Sequence, residues 1–425
     1  PDTQRDLPTT VTFLNALIQN GVDVEVASQP FTVDGKRYPA GSYIVKTAQA
    51  YRPHVLDMFE PQDHPHNTEY PGGPPKLPYD VAGYTLALQM GVTFDRILDG
   101  FETPSQKAED VLTAPAGRVI GTGRGGFVIP HEVNNSFILT NRLLAAGVTP
   151  QWLERPVRVG NETLGAGSIW VPASAEASEI VRAAVGPLGI DVHAVARRPA
   201  GEGMDLKPVR VGLVDRYGGV MSSGWTRMLL EQYEFPFEVV YPKALDTEDL
   251  NAKYDVLVFT DTVAPNLRHE AYRSANFSAS QPSPESLPAQ YRDWLGEVSA
   301  EVTVPRIAEF ARKGGTVVTI GNSNRLAHLM GAPIEATLVK TENGRTTTLP
   351  TTDFFLPGSI LSAAVDTSNP LAYGMPEQAN VFFSNGQTFR MTDATARSVV
   401  RFDTATPLVS GWEHHQERLE NTSAV

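Results

Sequence analysis

The 425-residue chain contains no cysteine. That excludes disulfide staples, thiolate zinc sites and every mechanism that needs a cysteine nucleophile. Long hydrophobic runs are missing as well. No apolar stretch reaches the roughly eighteen residues of a membrane span, so no membrane partner is expected. Positive charge is scarce, with 35 Lys and Arg against 48 Asp and Glu and a formal net charge of -13. An acidic surface disfavours nucleic acid and anionic lipid as partners. No secretory-leader pattern is expected within these residues, and that says nothing of the compartment. The chain opens "PDTQRDLPTT" without a Met and closes "ERLENTSAV" without a helix end, and both ends read as cut from something longer.

What is present is an ordinary globular composition, 41% hydrophobic and 20% charged, in a chain long enough for several domains. Its strongest feature is an internal repeat. Residues 10–45 and 136–171 align without a gap at a spacing of 126, the distance from Gly21 to Gly147. Asn15 matches Asn141, Leu17 matches Leu143, and Gly21-Val22 matches Gly147-Val148. Pro30 matches Pro156, Val33 matches Val159, Ala40-Gly41-Ser42 matches Ala166-Gly167-Ser168, and Val45 matches Val171. In the first copy Leu14, Leu17 and Ile18 recur at helical spacing, and Gly21 suits the position just past a helix end. "VDVEV" alternates as a strand, and "FTVDGKRYPAGSYIV" reads as a hairpin around Asp34-Gly35 followed by a turn into a last strand. Each unit is therefore helix, strand, hairpin and strand.

Residues 60–80, "EPQDHPHNTEYPGGPPKLPYD", are too rich in Pro and Gly for a helix or inner strand and read as a strap. A helix from about Tyr79 to Met90 is expected after it. From residue 204 the pattern changes. "VRVGLV", "FEVVY", "DVLVFTD" and "TVVTI" read as strands. "SSGWTRMLLEQY", with Ser at its N-cap, and "VPRIAEFARKGG", with Pro at its first position, read as helices. That alternation predicts a doubly wound parallel sheet, with residues 264–304 as a long excursion or lid. The fold class is α/β: a tandem repeat region over 1–203, then a doubly wound domain over 204–425 that reads as truncated at its C-terminus.

Three motifs invite chemistry. "GTGRGG", residues 121–126, matches G-x-G-x-x-G, but "FVIP" follows in place of a helix, so a glycine-rich hairpin turn is expected and no dinucleotide cofactor. "HNTE", residues 66–69, matches H-x-x-E, and His193 lies downstream. His66 sits in the strap, however, and His193 in an alternating strand pattern, so no metal site is expected at His66, Glu69 and His193. His414-His415 reads as a solvated helix face. In a doubly wound sheet, ligands collect at the carboxyl ends of the strands. Those ends offer Asp215, Arg216, Asp261, Asn322, Ser323 and Asn324 as a ligand crevice. "GTVVTIGNSNR", residues 315–325, is a strand–turn–helix of the kind that carries nucleophiles. G-x-S-x-G is not met, and no His is placed to activate Ser323. Ser323 is therefore expected to cap the helix "RLAHLM", and no catalytic residue is assigned.

The region from 204 resembles the class I glutamine amidotransferase-like fold. In active members the nucleophile turn carries a cysteine where this chain has "IGNSN", so the resemblance implies a degenerate domain. A second resemblance spans essentially the whole chain. "TFLNALIQNGVDV", "YPAGSYIVKTAQAYRPHVLDMFEPQ", "YPGGPPKLPYDVAGYTLALQMGV", "NNSFILTNRLLAAGV" and "SSGWTRMLLEQYEFPFEVVY" resemble the C-terminal half of large bacterial zinc carboxypeptidases, which are carboxypeptidase A-like metallopeptidases. It implies a non-catalytic accessory region of a protein that hydrolyses C-terminal residues from peptides. It also implies zinc in a missing N-terminal peptidase domain, that domain as partner, and an extracytoplasmic location. The alternative is an independent hydrolase or ligand-binding domain that uses the strand-end crevice.

Overall fold

A computed structural model describes residues 3–264, 281–384 and 386–425. The chain is mixed α/β and divides into two compact units. The first comprises Pro1–Leu206, Leu356–Asn385 and Thr406–Gln416; the second comprises Lys207–Phe355, Gly386–Ala405 and Glu417–Val425. Among the described residues, no helix is long and apolar enough to cross a membrane. The sequence reading divided the chain once, near residue 204, whereas the folded chain returns twice to the first unit. Backbone bonds hold those returns there: Ala82 and Gly83 both donate to Gly358 O at 3.0 Å, and Gly411 donates to Gln62 O at 2.8 Å.

In the first unit, α1 (Leu7–Gln19) starts at Asp6, whose carboxylate accepts from Thr9 N at 3.0 Å and satisfies an otherwise free helix-end donor. Its apolar stripe buries Phe13, Leu14 and Leu17. Then follow β1 (Glu25–Ala27), β2 (Phe31–Val33), β3 (Lys36–Tyr38), β4 (Tyr43–Ile44) and α2 (Arg52–Phe59). After α3 (Leu86–Gln89) come β5 (Ser105–Lys107), β6 (Val119–Ile120) and β7 (Gly126–Ile129). The next set is α4 (Asn135–Ala145), β8 (Gln151–Leu153), β9 (Val157–Val159), β10 (Glu162–Leu164), β11 (Ile169–Pro172) and α5 (Ala175–Leu188). The unit's first long run ends with β12 (Val192–Val195) and β13 (Gly203–Asp205).

The two segments of internal similarity carry the same elements in the same register. Glu25 faces Ile44 and Val26 faces Tyr43; at the matching positions Gln151 faces Trp170 and Trp152 faces Ile169. The hairpin pairs Phe31 with Tyr38, and its counterpart pairs Val157 with Leu164. Gly21 and Gly147 follow their helices at φ 90 and 78, and Gly41 and Gly167 turn at φ 82 and 88, conformations that favour glycine. Ser42 Oγ donates to Pro39 O at 2.8 Å, and Ser168 Oγ donates to Gly165 O at 2.7 Å. The sheets around them differ. The first has the order β4-β1-β5, and the second has the order β13-β8-β11-β7-β12-β6.

Three local expectations are corrected here. The helix expected from Tyr79 shrinks to α3, and residues 79–85 lie outside any helix or strand. At Gly83 a Cβ would meet Ser410 O at 2.1 Å, so its backbone lies directly against another strand. Residues 121–126 form no hairpin, since β6 and β7 flank β12 on opposite sides. The loop crosses the end of β12, and a Cβ at Gly123 would meet Val195 C at 2.1 Å. His414 and His415 lie outside any helix. They precede the single turn Gln416–Leu419, and His415 has a left-handed backbone at φ 66.

In the second unit, β14 (Val211–Val214), α6 (Met221–Gln232), β15 (Phe237–Val240), α7 (Pro242–Thr247), α8 (Leu250–Lys253) and β16 (Val256–Phe259) lead to α9 (Thr303–Arg312), β17 (Thr316–Thr319) and α10 (Arg325–Leu329). The sheet has the order β15-β14-β16-β17, with every neighbouring pair parallel. Ile307 and Phe310 of α9 share one buried cluster with Leu257 and Phe259 of β16. The part of the expected lid at 265–280 lies outside the described residues; Pro284–Ser286 and Ala289–Trp294 are short tight turns of helix.

Candidate functional site

Each parallel strand ends at the same edge of the sheet, and the loops leaving that edge carry the six predicted crevice positions. Asp215 and Arg216 follow β14, Asp261 follows β16, and Asn322, Ser323 and Asn324 follow β17. The first loop turns through Gly218 and Gly219 at φ 85 and 70, and the last turns at Gly321, φ 59. A Cβ at Gly321 would lie 2.8 Å from the Asp261 carboxyl carbon, so only glycine lets the two loops approach so closely.

The polar groups at this edge are bonded to one another. Ser323 Oγ donates to Thr260 O at 2.6 Å. Asp261 Oδ1 accepts from Asn322 N at 2.7 Å, and Asp261 O accepts from Ser222 Oγ at 2.5 Å. Ser223 Oγ and Thr260 Oγ1 lie 2.8 Å apart. Thr260, Ser222 and Ser223 were not among the predicted site residues; the two serines read as a helix cap. In the structure α6 begins after Val220 with no side-chain cap, and both hydroxyls reach across to β16 instead.

Ser323 is also corrected. It lies in the single turn Gly321–Asn324, and α10, whose N-cap is Asn324, has no side-chain cap. The hydroxyl donates to the Thr260 carbonyl just past the end of β16, so this buried polar group is satisfied. The His328 ring lies against Phe389, 5.9 Å between centroids. Asn324 contributes helix-start backbone. Asp215 is half-buried and accepts from Arg216 N at 2.8 Å. Burial raises its pKa above the usual carboxylate range, against the opposing pull of the Arg216 and Val220 amides.

The residues weighed for metal lie elsewhere. His193 is buried on β12 with Nε2 3.3 Å from Glu162 Oε2, and the His66 ring stacks on Trp412 at 5.0 Å. Among the described residues, no three His, Asp or Glu side chains converge in a way that could hold a metal ion.

No family model and no curated protein matches the chain. Among solved structures, it is similar to a glutamine amidotransferase from Thermotoga maritima, at 16% identity over 48% of this chain and 73% of that one, with a TM-score of 0.29.

Proposed function

We propose that the chain is a non-catalytic accessory region of a zinc metallocarboxypeptidase-like protein, holding or shielding a peptidase domain that carries the zinc and the catalytic residues. The sequence motifs that resemble the C-terminal half of those enzymes motivate the reading, and with it an extracytoplasmic location and a degenerate amidotransferase-like second unit. The observation that carries the non-catalytic part is the bond from Ser323 Oγ to Thr260 O. A serine nucleophile needs its proton directed to a base at roughly 2.6–3.2 Å. Here the hydroxyl is committed to a main-chain carbonyl.

The test is direct. The purified chain should carry no stoichiometric zinc by elemental analysis, release no C-terminal residues from peptides and hydrolyse no glutamine. Turnover that co-purifies with the chain, or one tightly held zinc per chain, overturns the reading.

A second reading rests on Asp215. A half-buried carboxyl with a raised pKa, beside a loop of two left-handed glycines, is the arrangement of a ligand-binding crevice in an independent domain. A ligand whose affinity falls when Asp215 is replaced by Asn would favour it.

A further inference from the structure

Asn-Gly pairs occur in the chain at Asn20, Asn343 and Asn385. Such a pair is reactive because a glycine amide, with no side chain to crowd it, can attack the side-chain carbonyl of the preceding asparagine. Asn385 lies outside the described residues. The other two are both exposed, yet their surroundings are opposite.

Asn20 is the C-cap of α1. Its Nδ2 donates to Ala16 O at 2.7 Å, and Gly21 N donates to Ile18 O at 2.9 Å. The group to be attacked and the attacking nitrogen are thus both tied to helix carbonyls. The Tyr51 ring covers the pair as well, since a Cβ at Gly21 would lie 2.8 Å from it.

Asn343 and Gly344 form the two-residue turn of a hairpin in the second unit, in which Glu342 faces Arg345. Both have left-handed backbones, φ 53 and 75, as a tight hairpin turn requires. Nothing lies within 4 Å of a Cβ at Gly344. Among the described residues, neither the Asn343 side chain nor Gly344 N makes a hydrogen bond. The hairpin strands, Val339–Glu342 and Arg345–Thr348, pair only with each other. A two-stranded pair is marginally stable by itself, so the turn opens locally at small cost.

From this contrast we propose that Asn343 is a site of self-modification: spontaneous deamidation to aspartate and isoaspartate, with Gly344 N as the nucleophile. The Gly344 nitrogen bonds to Asn343 Cγ and gives up its proton. The side-chain nitrogen leaves with that proton as ammonia, and a cyclic imide remains. Water then opens the ring. Cleavage of the bond to Cγ yields aspartate; cleavage of the bond to the Asn343 main-chain carbonyl carbon yields isoaspartate. Water is the only co-reactant. In isoaspartate the main chain runs through Cγ and gains a methylene, so Glu342 and Arg345 can no longer face each other across a two-residue turn. Either product adds a negative charge beside Glu342.

The full chain is held at mildly alkaline pH, sampled over days and digested with trypsin, which cuts after Lys340 and Arg345. Mass spectrometry then reads Asn343 in the peptide Thr341–Arg345 and Asn20 in residues 6–36, and an isoaspartate-specific methyltransferase marks the rearranged product. Asn343 should convert at least about tenfold faster than Asn20, which must first break its two bonds. In urea those bonds are gone, and the two pairs should convert at comparable rates. Gly344→Ala should slow conversion at Asn343 severalfold, because a Cβ then crowds the attacking nitrogen. Equal rates at the two sites in the folded chain overturn the proposal, and so does a difference that survives unchanged in urea. Conversion indifferent to Gly344→Ala, with no isoaspartate formed, would mean direct hydrolysis by water and overturns the assigned nucleophile. The urea comparison uses the parent chain, so a failure of the variant to fold leaves the test intact.

Discussion

Ser323 and Thr260 are tied across the ends of two parallel strands, hydroxyl to carbonyl at 2.6 Å, with each residue only 1% exposed. The bond joins the turn after β17 to the end of β16 and fixes the edge at which the crevice loops meet. Replacing Ser323 by Ala leaves the Thr260 carbonyl buried without that donor. The expected cost is about 1–3 kcal/mol, read as a lower urea midpoint with an unchanged slope. A fluorophosphonate probe should leave Ser323 unlabelled in the parent chain; labelling would contradict its structural role.

Two turn glycines of the second segment should respond unequally to alanine. Gly147 and Gly167 both have left-handed backbones, which cost a non-glycine residue about 1–2 kcal/mol. A Cβ at Gly147 meets nothing within 4 Å, whereas one at Gly167 would lie 2.6 Å from Tyr373 Cβ and 2.8 Å from the His131 ring. Gly167→Ala should therefore add an overpacking cost of about 1–3 kcal/mol beyond that of Gly147→Ala. Equal unfolding midpoints for the two variants would refute the packing described around Gly167.

Asp255 should give the second unit an acid-sensitive contact. Its carboxylate takes Arg210 Nη2 at 2.8 Å, Arg210 Nε at 3.1 Å and the Arg210 backbone amide at 3.0 Å. The guanidinium bonds come first among the causes that hold its pKa at about 2. A depressed carboxylate contributes stability above its unfolded pKa of about 3.9. That contribution is lost as pH falls through the folded value. Asp255→Asn should be less stable than the parent at pH 7, and the gap should close as pH falls from about 4 toward about 2. A gap that persists at low pH would contradict the assignment.

Asp215 carries the opposite sign. Its raised pKa means the fold prefers the protonated carboxyl, so its favourable contribution is lost as pH rises through the folded value. Asp215→Asn keeps an oxygen to accept from Arg216 N and removes the buried charge. Its thermal midpoint should exceed the parent's at pH 7, and the difference should disappear below about pH 4. A lower midpoint at pH 7 would mean that the ionised carboxylate is stabilised by the fold.

Much of the architecture was legible in the sequence because it is written in local patterns. The helical spacing of Leu14 and Leu17, the Asp34-Gly35 turn and the alternation in "VDVEV" specify elements within a few residues of themselves. The four strands of the parallel sheet in the second unit are largely apolar runs bounded by turns. The matched glycines gave the paired segments their common frame, since a left-handed turn admits few other residues.

The destinations of the hydroxyls were not legible. Ser222, Ser223 and Ser323 each precede a helical pattern, and capping is the partner that local sequence offers. The Thr260 and Asp261 atoms they bond are 37 to 63 residues away and become neighbours only when β14, β16 and β17 lie side by side. The same holds for Gly83 against Ser410, which dissolved an expected helix. The sequence by itself determined which segments could be helix, strand or left-handed turn, because those preferences are set by each residue and its close neighbours. Only the tertiary structure decided which polar groups are satisfied and which strands pair, because hydrogen-bond partners and sheet neighbours are chosen by proximity across long stretches of chain.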